Sequence, residues 1–325
     1  MNYIVLDLEW NQCPDGKENE NKKLPFEIIE IGAVKLDSNF HKISEFSELI
    51  KPCVYGEIHY KTKEVIQLNM EELNSAKTFT QVCQSFLKWC GQDYIFATWG
   101  SMDLTELQRN MKYYGLKYEF NYPLKYYDIQ KVFSLFFEEA KAKRTLEYAV
   151  VYLNIKREYD FHKAIYDAYY AGKILSLIDS DFLQNNESID YYKPPQSRED
   201  EIFIQYKRYS KYVSKAFASK EEAMSDKEVT SMKCHCCNRN LKRKIRWFSI
   251  NSKIHYALGY CEEHGYMKCK IRMKKNDEDK YFVIKTIKAV NEEEGLLIRT
   301  KREDLRLKRR LKRKNKKEHP SEFNI

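Results

Sequence analysis

Ile4-Val-Leu-Asp-Leu-Glu-Trp10 reads as a buried strand that carries two acids, Asp7 and Glu9, two positions apart. Side chains alternate across a strand with period two, so both carboxylates point to one face while Leu8 packs on the other. Outward from there, Phe26 to Leu36 reads as a second strand and His41 to Ile50 as a third, with Asp37-Ser-Asn39 as the turn. Asn11 to Leu24 is a polar loop inside that meander. Helices are expected over Lys61–Leu68 and Phe79–Cys90, then a strand over Tyr94 to Thr98 ended by Gly100. Leu104 to Tyr114 reads as a helix that starts beside Asp103. Tyr126-Tyr127 reads as a short strand and Ile129 to Ala140 as a helix. Thr145 is the expected N-cap of a helix through Leu153, and Lys163 to Ile178 forms the last helix. Strands first, then strands alternating with helices, imply an α/β fold with a mixed sheet flanked by helices.

The 325 residues, 43% hydrophobic and 32% charged, leave room for one sizeable core plus a smaller module and exclude a disordered chain. No apolar stretch reaches the length of a membrane span, so no membrane partner is expected. Asp7 and Glu9 interrupt the apolar N-terminus before a secretory core forms, and a cytoplasmic location is expected. Net charge is +9, and eleven Lys/Arg against three Asp/Glu between Lys301 and Glu318 account for +8 of it. Such a tail meets nucleic acid phosphates or stays solvated. The expected organisation is a core unit over 1–183, a linker with an amphipathic helix over 184–231, a cysteine module over 232–294 and a basic tail over 295–325. Asn185-Asn-Glu-Ser and Pro194-Pro195 mark the linker, and Asp200 to Met224 is its Tyr- and Lys-rich helix.

Asp7, Glu9, Asp103 and Asp167 offer only oxygen, the donor that suits hard ions such as Mg²⁺ or Mn²⁺. Asp103 follows the buried strand of Phe96-Ala-Thr-Trp-Gly-Ser-Met-Asp103, which brings it toward the same sheet edge. On the last helix Ala164, Asp167, Ala168 and Ala171 form one stripe, and the small alanines let that helix approach the sheet. His162, at the start of the helix, can swing over the site as a base. Taken singly, an Asp-x-Glu on a strand or a His-x4-Asp is most often a solvated face or an ion pair. Acids beside buried strands without basic neighbours repel each other, and the joint pattern points to function. Two divalent ions and an activated water suit phosphodiester hydrolysis.

Asp7-Leu-Glu9, Glu30-Ile-Gly32, Trp99-Gly100-x2-Asp103 and His162-x4-Asp167 together resemble the DEDDh branch of the DnaQ-like exonucleases, whose fold is RNase H-like. Trp99-Gly100 ahead of the acid is similar to the subgroup holding KapD-like bacterial proteins and Eri-type 3′→5′ exoribonucleases. The resemblance covers residues 1 to about 180. It implies that Asp7 bridges two Mg²⁺ or Mn²⁺ ions and that Glu9 and Asp167 complete one site. It further implies that Asp103 supports the second site through water and that His162 deprotonates the attacking water. The implied reaction releases nucleoside 5′-monophosphates from the 3′ end of single-stranded nucleic acid, RNA favoured over DNA. Trp10, beside the acids, is a candidate for stacking on the terminal base and equally a core aromatic. Family members often carry Gly and Arg around the catalytic His, where this chain has Tyr159-Asp-Phe-His162-Lys. Two other classes stand open. One is a regulatory protein acting through a protein partner, since KapD-like members are associated with control of a sporulation kinase pathway. The other is a DNA proofreading or repair exonuclease.

Cys234-x2-Cys237 and Cys261-x2-His264 form two knuckles, a spacing that suits one structural Zn²⁺ in a closed tetrahedral site. The pattern looks like a zinc ribbon. Cys236 and Cys269 are alternative ligands and His235 is a bystander. Between the knuckles Arg243, Arg246 and Trp247 are candidates for holding phosphates and stacking bases. The alternative is a solvated basic strand whose Trp247 and Phe248 fill the module's core.

Overall fold

In the computed structural model, which describes residues 1–65, 69–118, 120–139 and 142–318, the opening meander is β1 (Asn2–Asn11), β2 (Glu27–Leu36) and β3 (Lys42–Lys51). Next come α1 (Tyr60–Val65), α2 (Met70–Ser75), the short β4 (Lys77–Thr78), α3 (Phe79–Cys90) and β5 (Tyr94–Thr98). α4 (Met102–Tyr113), β6 (Lys125–Asp128), α5 (Ile129–Phe137), α6 (Leu146–Tyr152) and α7 (Ala164–Ser176) follow. α8 (Ser180–Gln184) and β7 (Ser188–Ile189) close the first of two units, Met1–Tyr192. The ends of two expected helices, residues 66–68 and 140, lie outside the described residues.

The strands form one mixed sheet in the order β4-β3-β2-β1-β5-β6-β7. β1 is antiparallel to β2 and parallel to β5. Alternation on β1 sorts the two layers around it. Ile4, Leu6 and Leu8 pack with Val82 and Phe86 of α3 and with Leu104 and Leu107 of α4. Val5 on the other face packs with residues of α5, α6 and α7. Full burial of each such aliphatic side chain contributes about 1.5–3 kcal/mol. This is the RNase H-like arrangement, a central sheet flanked by helices, that the sequence led one to expect.

β2 decides how close α7 comes. A Cβ at Gly32 would sit 2.1 Å from the carbonyl carbon of Ala164 and from the amide nitrogen of Ile165. Glycine is required there because helix backbone lies directly on strand backbone. Ala164, Ala168 and Ala171 are buried on that side, as their stripe predicts.

The second unit, Lys193–Ile325, departs from expectation. No long helix runs from Asp200 to Met224; β8 (Ile202–Gln205), β9 (Tyr209–Val213) and the short α9 (Lys220–Ser225) occupy that stretch. Its Ile, Phe, Tyr and Val residues serve strand pairing, because β9 hydrogen-bonds to a strand far along the chain. The expected long helix within the 184–231 linker is thereby corrected, since short strands and short helices take its place. α10 (Lys227–Thr230), β10 (Lys242–Ser249), β11 (Ile254–Cys261), β12 (Gly265–Lys275), β13 (Tyr281–Ala289) and α11 (Glu292–Glu318) complete the unit. Its sheet runs β10-β11-β12-β13-β9-β8 with antiparallel neighbours throughout. The basic tail is helical; near its start Ile298 packs on Ile245 and Leu258, further along Arg309 donates to the Ser249 carbonyl at 2.7 Å, and most of its described residues are exposed. Residues 319–325 of the expected tail lie outside the described residues. No helix among the described residues is long and apolar enough to cross a membrane.

Candidate active site

The register of β1 on β2 builds the floor of the site. Asp7 faces Gly32, and Glu9 faces Glu30. Like charges directly opposite each other destabilise a sheet, so the Glu9–Glu30 pair calls for an explanation. α7 brings a further acid, because its contact at Gly32 sets Asp167 in the first helical turn over the same floor. One ligand oxygen each from Asp7, Glu9 and Asp167 lie within 4.8 Å of one another.

Asp103 arrives from the other side. Gly100, at φ 105°, turns the chain out of β5 in a conformation that costs a glycine little. Trp99 anchors that turn by packing near Phe133 and donating its indole N–H to the Arg144 carbonyl at 3.1 Å. Asp103 then sits in the first turn of α4, 5% exposed. Backbone N–H groups of Asp103 and Leu8 lower its pKa in part.

Burial is the largest cause of raised pKa throughout this group. It pushes Glu9 to about 8, with Asp167, Glu30 and Asp103 adding repulsion. Asp103 is pushed to about 7 and Asp167 to about 6, each chiefly by desolvation. Asp7 lies well above the carboxylate range, through burial first and then through Asp103, Glu9, Asp167 and Glu30. Glu30 is also raised, and its partial relief comes from the Ala164 backbone N–H and the charge of Lys163. In the sequence Glu30 belongs to a motif but carries no sign of a part in the site, although it is only 1% exposed. Its place opposite Glu9 is a register fact that no local pattern spells out.

Two buried oxygens here, Oε1 of Glu30 and Oδ1 of Asp167, have no hydrogen-bond partner. A buried anionic oxygen without a partner is expensive, and a cluster of them holds its protons unless cations neutralise it. An all-oxygen donor set selects hard divalent ions. The residues present therefore fit Mg²⁺ or Mn²⁺.

His162 stands at the rim. Its backbone adopts φ 68°, and its N–H donates to Oδ2 of Asp167 at 3.2 Å. The imidazole is half-exposed, with Nε2 3.9 Å from Oε1 of Glu147, and it is not among the clustered ligand atoms. The loop before it hangs on Tyr170, whose hydroxyl accepts from the Glu158 and Tyr159 amides at 2.9 and 2.8 Å. Neither Glu147 nor Tyr170 stood out in the sequence, because both act through loop geometry. Trp10 is half-buried, packs on the core shared with α3 and α4, and lies 5.7 Å from the Phe26 ring.

In the second unit the ligand atoms of Cys234, Cys237, Cys261 and His264 lie within 4.8 Å of one another. Cys237 Sγ is 3.7 Å from Cys261 Sγ, which is 3.6 Å from His264 Nδ1. Tetrahedral Zn²⁺ with Zn–S bonds of about 2.3 Å would space sulfurs about 3.7 Å apart, so these edges fit it. The hydrogen bond from His264 draws the Cys261 thiol down to about 6. Cys236 is exposed and Cys269 is a core thiol pushed up to about 12 by burial; neither joins the group, and nor does His235. Arg243 and Arg246 are exposed on β10. Trp247 packs into the unit's core and donates its indole N–H to the Thr230 carbonyl at 2.9 Å.

A sequence model of an exonuclease family, RNase T, matches residues 4–175, more than half of the chain. Among solved structures, the nuclease domain of 3′hExo, described as a DEDDh family member bound to rAMP, is similar over 58% of this chain and 96% of its own. Identity there is 18% and the TM-score 0.49. A full-length 3′-exonuclease matches over 56% of this chain and 83% of its own, at 19% identity and TM-score 0.48. Cell-death related nuclease 4 matches over 63% and 68%, at 17% identity and TM-score 0.46. No curated protein matches.

Proposed function

The chain belongs to the RNase T exonuclease family and is a phosphodiester hydrolase, and we propose that it removes nucleotides from the 3′ end of single-stranded nucleic acid, RNA in preference to DNA. The observation that carries this reading is the group of carboxylates crowded at one place, two of their oxygens buried without partners. Asp7, Glu9, Asp103 and Asp167, with Glu30 behind them, would hold two Mg²⁺ or Mn²⁺ ions. When bound, such ions stabilise charge on both the attacking and the leaving oxygen of an in-line displacement.

The chain's own residues supply the rest. Glu9, raised to about 8, must give up its proton for the site to fill, so loading is coupled to proton release. An imidazole can take the proton of the attacking water near neutral pH. His162 is the candidate, held beside Asp167 by its own backbone N–H, with Oε1 of Glu147 3.9 Å from its Nε2. The water oxygen bonds to phosphorus, the bond from phosphorus to the preceding 3′ oxygen breaks, that oxygen takes a proton from solvent to become the new 3′-hydroxyl of the shortened strand, and a nucleoside 5′-monophosphate leaves. RNA preference rests on the resemblance around Trp99-Gly100 alone.

Cys234, Cys237, Cys261 and His264 would hold one Zn²⁺ in a closed, structural site. The free cysteines suit a reducing compartment, and we place the protein in the cytoplasm. The test is degradation of matched 3′-labelled RNA and DNA strands with Mn²⁺ by wild type and His162→Ala. The reading predicts mononucleotide release, faster on RNA, and a large loss in the variant. Equal rates for both proteins would reject His162 as the base, and no release from either strand would reject the exonuclease direction.

A further inference from the structure

Tyrosines crowd the rim around His162, and they are not alike. Tyr148 and Tyr152 of α6 donate their hydroxyls to Glu138 and to the Phe137 carbonyl, at 3.1 Å each. Tyr169 donates to Glu158 at 2.7 Å, and Tyr170 donates to the Tyr159 carbonyl at 2.8 Å. Those four are tied by their hydroxyls, and they account for how the loop before His162 is held. Tyr159 and Tyr166 differ. Among the described residues their hydroxyls make no hydrogen bond. Their rings lie face to face, centroids 4.4 Å apart and planes 8° from parallel, with Tyr169 meeting Tyr159 at 89°. Tyr166 and Tyr169 edge the core behind α7, whereas Tyr159, three residues before His162, stays 41% exposed. One exposed ring is ordinary. Two rings already stacked beside a candidate catalytic base make a flat surface of the kind a nucleobase lies on. Lys163, the N-cap residue of α7, is exposed and holds its ammonium 5.2 Å from the centre of the Tyr166 ring. Its charge also reaches Glu30 on the floor of the site, so one cation joins the rings to the acids. The loop's own acids are engaged, Asp160 with Arg157 at 3.0 Å and Glu158 with Tyr169.

We propose that the Tyr159–Tyr166 pair stacks an unpaired base of the substrate strand beside His162, with Lys163 meeting a phosphate of the same strand. The proposal rests on the nuclease reading above, and it names what selects single strands. A base inside a duplex is stacked on both faces and must unpair before a side chain can take it. A ring platform therefore favours a flexible strand, and it reads no sequence because every base has a π face.

The test measures kcat and KM for release of the first nucleotide by the zinc-loaded full chain with Mn²⁺. Substrates are a 3′-labelled single-stranded oligoribonucleotide and versions of it with one abasic residue, moved stepwise back from the 3′ end. Tyr159→Leu keeps an apolar side chain without a π face, and Tyr159→Phe keeps the ring. Tyr159→Leu is expected to raise KM about tenfold, the loss of one stacked base, with kcat changed by less than about threefold. Tyr159→Phe is expected to restore the wild-type KM, because the hydroxyl holds nothing. At one abasic position the wild type should lose the same factor, and there Tyr159→Leu should cost nothing further. That failure of additivity separates a contact with a base from packing of the loop. Unchanged KM in Tyr159→Leu overturns the proposal while the active site stands. A fall in kcat alone also overturns it, since Tyr159 would then support the His162 loop and not the substrate. Losses that multiply at every abasic position overturn it as well. If the wild type releases nothing from any strand, the nuclease reading fails and the platform falls with it.

Discussion

Asp7, Glu9 and Asp167 in the first unit, and Cys234, Cys237, Cys261 and His264 in the second, each gather ligand atoms within 4.8 Å, yet under opposite electrostatic conditions. Protonated thiols are neutral and the thiol drawn down to about 6, Cys261, is relieved by the His264 hydrogen bond, so this cluster carries little repulsion, and three sulfurs with one imidazole nitrogen would close a tetrahedron around a metal. The carboxylates carry more charge than their surroundings neutralise. Asp103 and Glu30 press on Asp7 from either side, and burial raises every member. A closed site with matched donors stabilises a fold. An over-supplied acidic site stores a demand for cations, which under the proposed reading serves chemistry.

The sharpest way to break this contrast is substitution at each centre. Asp7→Asn should lower exonuclease activity by at least on the order of 10³-fold, while the melting temperature holds or rises because one repelling charge is gone. A melting temperature that falls with activity would make Asp7 a structural residue. Cys237→Ser, or zinc removal by a chelator, should do the reverse. Structural Zn²⁺ carries apparent binding energy on the order of 10 kcal/mol, so the second unit should lose its cooperative melting. Hydrolysis of a small ester, p-nitrophenyl thymidine 5′-monophosphate, measured with Mn²⁺ restored, should then fall by less than about threefold; a complete loss would contradict the separation of roles.

Titration distinguishes the centres next. In the metal-free protein Glu9 keeps its proton up to about pH 8, whereas an unfolded chain releases it near about 4.3. The folded state binds more protons across that window, so stability falls as pH rises from about 5 to 8. Melting scans should show a decline of roughly 5–10 °C, largely reversed by Mn²⁺ at the alkaline end. A flat profile would mean that the acids are already neutralised. Glu30→Gln should have the smallest effect, weakening Mn²⁺ affinity by roughly 10–100-fold, as for a residue that supports ligands rather than serving as one. Unchanged Mn²⁺ affinity, by calorimetry, would leave Glu30 a packing residue.

What the sequence showed and what it hid follows from range. Asp7 and Glu9 share a face because strands alternate, and Asp167 is carried in by an alanine stripe; both are local periodicities. The depth of α7 on the sheet was legible only in half. The alanines were visible, but the cavity that receives them is Gly32, a residue on another strand. Glu30 is hidden for the same reason, since register with Glu9 belongs to a strand pair. Residues 200–224 misread as a helix because Tyr and Lys fit either period, and pairing of β9 with β13, some seventy residues on, decided the matter. The meeting of Cys234, Cys237, Cys261 and His264 was plain because two short spacings each hold a pair together. His162 was plain as a type but not as a pose, since its ring direction depends on Glu147 and on the loop hung from Tyr170.

The central claim is that the crowded carboxylates exist to bind paired hard cations. Isothermal calorimetry of Mn²⁺ into the zinc-loaded, otherwise metal-stripped protein at about pH 7.5 tests it most directly. Wild type is predicted to bind two ions with proton release, and Asp7→Asn to bind at most one with much lower affinity. Equal stoichiometry and affinity in the two proteins, or no binding heat in either, would contradict it.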